Sequence, residues 1–197
     1  MSFDRLPFDQ LPSTQIGREG EALFERLVRD RGHKFVPTCN FSGGDNRGPR
    51  LKGNAIEACL PDYSVFSDHY FAHVEIKTKS TAMEYRNGHY WQHGIDTQPY
   101  RDYLRVEKEM RQPVWIVFYE IGGPWPGSWT CKRVSELVPV CNNPLNGMTY
   151  FKRDALDPLD YLWAKLSPKQ AVPARSFVRT TTTKPADRGH LDAWGIA

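Results

Sequence analysis

Between residues 13 and 31 apolar positions recur at Ile16, Gly20, Leu23, Phe24, Leu27 and Val28. That is one face of a 3.6-residue period, so the pattern predicts a helix. Ser13 and Thr14 offer N-cap oxygens and Gly32 a stop. Gly17 and Gly20 weaken a helix, which predicts that something packs closely against its first turns. Residues 34–39 read as a strand. Residues 40–54 read as a loop, because four glycines and the charges Arg47, Arg50 and Lys52 form no core. Residues 55–60 and 62–66 read as strands interrupted by Pro61, and 70–78 as another. Residues 80–97 are polar and aromatic with no clear period. A helix is predicted from Pro99 or Tyr100 to Arg111. The most apolar run, residues 114–119, fits a buried central strand. A strand over 128–133, a helical turn over 134–138, an edge strand over 148–151 and a short helix over 159–166 complete the reading. This order implies an α/β (α+β) fold with a central mixed sheet flanked by helices.

In domain terms, residues 1–12 read as an N-terminal arm, 13–167 as one domain, and 168–197 as a flexible basic tail. The tail ends in an apolar stretch around Trp194 that suits docking on this subunit or another.

The polar positions of residues 62–77 carry the candidate chemistry. Strand side chains alternate faces. Phe71, His73, Glu75 and Lys77 therefore share one face, and Tyr70, Ala72, Val74 and Ile76 the other. The second set is apolar and expected against the core. With a two- or four-residue turn, Asp62 falls opposite Glu75 or opposite His73, on the charged face in both cases. A three-residue turn would put it on the wrong face. Two carboxylates and an ammonium on one face suit a hard divalent cation such as magnesium, which takes oxygen ligands and bridges to phosphate. The main-chain carbonyl of Ile76 is a further candidate ligand. Acid-x-Lys on a strand is by itself a common solvated pattern, but Pro61-Asp62 stands before it at hairpin distance. Upstream, Glu21 lies near the border of the helix's apolar face and can reach the same metal directly or through water. Glu25 points further out, as a solvated charge.

Composition changes this picture little. The 197 residues are 40% hydrophobic and 25% charged, with a formal net charge of +3. That permits a nucleic-acid partner without requiring one. No apolar run is long enough to span a bilayer, and no signal core opens the chain. The expected location is therefore cytoplasmic, or the host cytoplasm if the protein is viral. The four cysteines form no Cys-x-x-Cys pair. They read as buried free thiols rather than a zinc site.

Taken together, Gly17-x-x-x-Glu21, Pro61-Asp62 and Glu75-Ile76-Lys77 resemble the PD-(D/E)xK nuclease superfamily. The branch holding archaeal Holliday junction resolvases and small phage or restriction-type nucleases is the most similar. The resemblance runs over about residues 16–119. It implies a restriction-endonuclease-like core and metal-dependent hydrolysis of DNA phosphodiester bonds, with branched DNA as one candidate substrate. By it, Asp62 and Glu75 bind magnesium or manganese, Lys77 positions water and Glu21 assists. It also suggests a homodimer. The alternative is a non-catalytic nucleic-acid-binding or assembly protein that keeps the fold. Candidate DNA contacts are Arg47, Arg50, Lys52, Lys79, His93 and Gln98. Basic residues of the tail read equally as phosphate contacts or as a solvated linker. The aromatics Tyr85, Tyr90 and Trp91 suit stacking on unpaired bases, a small satellite core or a dimer face.

Overall fold

A computed structural model describes residues 12–38, 49–53, 56–85 and 88–167. The expectations for the arm, for most of the 40–54 loop including Arg47, for Cys39 and for the tail lie outside the described residues.

Helix α1 (Pro12–Asp30) opens the described chain, and Gly32 beyond it takes a positive φ of 74°. Proline fits a first helical position because its missing N–H has no intrahelical partner there. Ser13 and Thr14 consequently lie in the first turn rather than at the cap. The chain continues through β1 (Lys34–Pro37), β2 (Arg50–Gly53), β3 (Ile56–Cys59), β4 (Tyr63–Phe66) and β5 (Phe71–Lys79). Then come β6 (Met83–Tyr85), β7 (Tyr90–Asp96), α2 (Thr97–Met110), β8 (Val114–Glu120) and β9 (Trp129–Arg133). It closes with β10 (Pro139–Asn143), β11 (Met148–Lys152), β12 (Asp157–Pro158) and α3 (Asp160–Leu166).

Six strands form a mixed sheet in the order β1-β4-β5-β8-β9-β12. The β5–β8 pair is parallel and the others antiparallel. A parallel neighbour needs a crossover, and the chain from β6 through α2 supplies it. One face of the sheet packs Ala72, Val74, Ile76, Trp115 and Val117 against Phe24 and Val28 of α1 and Leu162, Trp163 and Leu166 of α3. The opposite face packs Val114, Ile116 and Phe118 against Tyr100, Tyr103 and Val106 of α2, with Ile95 and Phe151 beside them. Each fully buried side chain of this size contributes about 1.5–3 kcal/mol.

Three parts differ from the sequence pattern. Residues 50–53 form a strand and pair with β3, although two of the four are basic. Residues 83–85 and 90–96 are strands of a second, four-stranded antiparallel sheet, β10-β11-β7-β6. Strand β11, expected at an edge, pairs on both sides. Neither is Cys141 a buried thiol: it is exposed on β10, whereas Cys131 is buried.

Candidate active site

The β4–β5 hairpin has a four-residue turn, and Ser64 opposes His73 while Tyr63 opposes Val74. Continuing that register by one residue sets Asp62 beside Glu75, the first of the two registers open to the sequence. Pairing stops at Tyr63, so residues 75–79 of β5 run on without β4. Asp62 covers that open edge through two hydrogen bonds. The Ile76 N–H donates to Asp62 Oδ2 at 2.8 Å, and the Asp62 N–H donates to Glu75 Oε2 at 3.2 Å. The Asp62 carbonyl in turn accepts from the Thr38 N–H at 2.7 Å, which ties the residue to the end of β1. In an extended strand the N–H and C=O of one residue point the same way. The Ile76 carbonyl therefore faces the same open edge as Asp62.

Glu75 is 3% exposed and Lys77 25% exposed at its side chain, and the Lys77 ammonium meets Glu75 Oε1 at 2.6 Å. Burial by itself would lower the Lys77 pKa, but the adjoining Glu75 and Asp62 carboxylates reverse this and hold it above the usual lysine value. Lys77 is thus a cation here. Asp62 is pushed well above the ordinary carboxylate range, first by burial and then by the negative charge of Glu75. Glu21 is raised for the same two reasons in the same order. Helix α1 brings it into range because Gly20 lets the helix lie directly on β5: a Cβ there would collide with the Thr78 hydroxyl. Gly17 has open space around it, so only one of the two glycines marks the close approach.

The charged face of β5 is not the solvated face that the alternation suggests. Helix α2 roofs it. Tyr103 of α2 is buried there, and burial followed by the nearby Glu75 charge raises its pKa well above the usual tyrosine value. Tyr103 is a site neighbour that the sequence pattern does not single out. Its place on the apolar stripe with Tyr100 and Val106 was the available signal. Asp102, 2% exposed on the same helix, accepts from the Cys59 N–H at 3.0 Å and from Gln98 Nε2 at 2.8 Å. It clamps α2 to β3, and this too goes unread in the sequence. Glu25, expected to be solvated, accepts from the Tyr63 hydroxyl at 3.2 Å and pairs with Arg29 at 2.8 Å.

The structure brings Glu21, Asp62, Glu75, Ile76 and Lys77 together, with Lys79 alongside. Burial and the like charge of Lys77 lower the Lys79 pKa to about 8. The other candidates are placed differently. Arg50 pairs with Glu57 at 2.7 Å, Lys52 is exposed on the same short strand, and Gln98 is bonded to Asp102. His93 is 1% exposed, stacked on Phe118 with centroids 4.6 Å apart and beside Glu120 at 3.4 Å. That burial keeps it from meeting a DNA phosphate in this arrangement. Arg153 Nε donates to the same Glu120 Oε1 at 2.6 Å.

Among the described residues no three His, Cys, Asp or Glu side chains form a ready-made metal cage. The donor set that is present still fits magnesium. This ion usually takes only one or two carboxylates, with water and substrate oxygens completing its shell. Asp62 is half-buried beside the buried Glu75; loss of solvent and then the Glu75 charge disfavour its ionised form, and such a cation relieves both.

No protein-family model matches the sequence, and no curated protein matches it. Solved structures do. Hjc from Archaeoglobus fulgidus, a Holliday junction resolvase from an archaeal hyperthermophile, aligns with a TM-score of 0.50 at 7% identity, over 74% of this chain and 98% of its own. D212, a nuclease from a fusselovirus, aligns at 0.45 and 10% identity over 83% of this chain and 95% of its own. The chain therefore shares its fold, a central mixed sheet flanked by helices, with the Hjc resolvase.

Proposed function

We propose that this protein is a divalent-metal-dependent DNA endonuclease acting at the open edge of β5. The observation that carries the reading is the single cluster of Asp62, Glu75 and Lys77, locked by the Ile76 and Asp62 main-chain N–H groups. Asp62 and Glu75 would hold magnesium or manganese, with the Ile76 carbonyl as a third oxygen and Glu21 reaching it directly or through water. Bound there, the ion would supply Lewis-acid polarisation of a phosphate oxygen and orient substrate.

The chain's own residues do the rest. Lys77, being protonated, does not take a proton from water. Its ammonium would hold the attacking water or a phosphate oxygen and offset negative charge as the water oxygen bonds to phosphorus and the bond to the leaving oxygen breaks, the proton shed by the water passing to solvent and the leaving oxygen taking one from solvent. Glu75 fixes the ammonium in place. Tyr103 lies over the Glu75 carboxylate and keeps bulk water from that side. Lys79, two residues on along the same face, is placed to meet the next phosphate.

The test is cleavage of plasmid, linear, single-stranded and branched DNA with magnesium, comparing wild type with Glu75→Ala and Lys77→Ala. The reading expects cleavage only with the metal and loss of at least about a hundredfold in each variant, with unchanged circular dichroism. Activity persisting in both variants would refute the site. A wild type that binds DNA and cleaves none would favour the non-catalytic alternative.

A further inference from the structure

The second sheet has an outer face that the site does not use. Alternation from the buried Ile95 and Phe151 puts Met83 and Tyr85 of β6, Tyr90, Gln92, Gly94 and Asp96 of β7, and Met148, Tyr150 and Lys152 of β11 on that face. Met83 is 52% exposed and Tyr85 39% exposed. Tyr85 and Tyr90 lie with ring centroids 5.1 Å apart, and the Lys152 ammonium sits 4.9 Å over the Tyr90 ring. Gly94 leaves a floor into which the Tyr150 ring fits: a Cβ there would come within 2.8 Å of it. The Asp96 end of the face borders the active strand, since Asp96 is near enough to raise the pKa values of both Lys77 and Lys79.

We propose that this face is a platform for single-stranded DNA, on which bases stack against Tyr85 and Tyr90 while Lys152 meets the backbone phosphate. Aromatic rings interleaved with a cation bind unpaired nucleotides because every base has a π-face and every linkage a charge. Tyrosine rings keep a polar hydroxyl in water while offering an apolar face, which suits a surface that is bare between turnovers. Asp96 is the one carboxylate on this face among the described residues, and it lies at the end nearest the lysines. Continuity with β5 gives the platform its use. A strand lying across Tyr85 and Tyr90 and running toward Asp96 comes to the lysine end of β5. The substrate class is therefore DNA in which an unpaired segment adjoins the scissile bond. This use rests on the nuclease reading, whereas binding to the face does not.

The experiment measures binding of a fluorescein-labelled oligo-dT and of a matched duplex by anisotropy, without added metal. It uses full-length Glu75→Ala protein, with and without Tyr85→Ala and Tyr90→Ala together. Both tyrosines are surface residues remote from the carboxylates, so the fold should hold, and circular dichroism checks it. The expected result is oligo-dT binding that weakens about tenfold or more in the double variant, with duplex binding changed less than about twofold. Lys152→Ala should weaken oligo-dT binding and flatten its salt dependence. Equal oligo-dT binding with and without the tyrosines overturns the proposal, as does absence of oligo-dT binding. If sedimentation shows a dimer that Tyr85→Ala and Tyr90→Ala dissociate, the face is an interface between copies, and the proposal also fails. Oligo-dT binding by a wild type that cleaves nothing would leave the platform standing and the nuclease reading refuted.

Discussion

At Asp62 two demands compete. Its carboxylate caps the Ile76 N–H and belongs to the fold, yet it sits half-buried beside Glu75, and loss of solvent followed by the Glu75 charge holds its pKa well above the ordinary range. A carboxyl whose folded pKa exceeds its unfolded one contributes stability that is present below the unfolded value. That contribution is lost as pH rises through the folded value. At neutral pH the ionised group therefore strains the metal-free protein. Asp62→Asn keeps an acceptor for Ile76 and removes the charge. Thermal melting without metal should show a higher Tm for the variant. Added manganese should raise the Tm of wild type and leave the variant nearly unmoved; equal shifts in both would contradict the assignment. Cleavage should also fail on acidification at a higher pH than ordinary carboxylates would require. Both Asp62 and Glu21 are raised, and only their ionised forms suit a cation. A pH–rate profile whose acid limb sits at ordinary carboxylate values would show that neither group governs activity.

Among the elements, the contact of α1 with β5 decides whether Glu21 takes part. Gly20 sits on Thr78 with no room for a Cβ. Gly20→Ala gains about 1 kcal/mol of helix propensity and incurs about 1–3 kcal/mol of overpacking, so a net loss in denaturant melts is expected. Activity should fall further than stability does, because α1 carries Glu21 outward with it. Thr78→Ala removes the hydroxyl and should recover part of the loss, a coupling that the double-mutant cycle reads directly. Additive effects would mean that the helix does not bear on the strand at that point. The hairpin itself was legible from sequence. An even turn allowed two registers, with Asp62 opposite Glu75 or opposite His73, and both put it on the face that carries Glu75. What sequence could not show was the roof. Helix α2 covers the charged face because Tyr100, Tyr103 and Val106 form its apolar stripe, and a strand pattern does not reveal which helix will lie over it. Strand β7 escaped reading for a different reason. Its inward residues include the buried His93, and its outward ones include Tyr90 and the buried Gln92, so polarity does not alternate although the faces do.

Across the whole molecule, the mixed sheet separates two apolar layers and exposes the end of β5 at a gap beside β4. The central strand β8 was readable as buried because its run from Val114 to Phe118 is apolar at every position and both layers use it. The second sheet was not readable, since two local hairpins of short strands are joined into it only by the long-range pairing of β7 with β11. No described helix is long and apolar enough to cross a membrane. The most direct test is a crystal structure of the wild-type protein grown with manganese, with anomalous data collected at the metal's absorption edge. An anomalous peak between Asp62 and Glu75, beside the Ile76 carbonyl and lost in Asp62→Asn, is the expected result. A fully formed crystal with no peak there, or with manganese only elsewhere, would contradict the account.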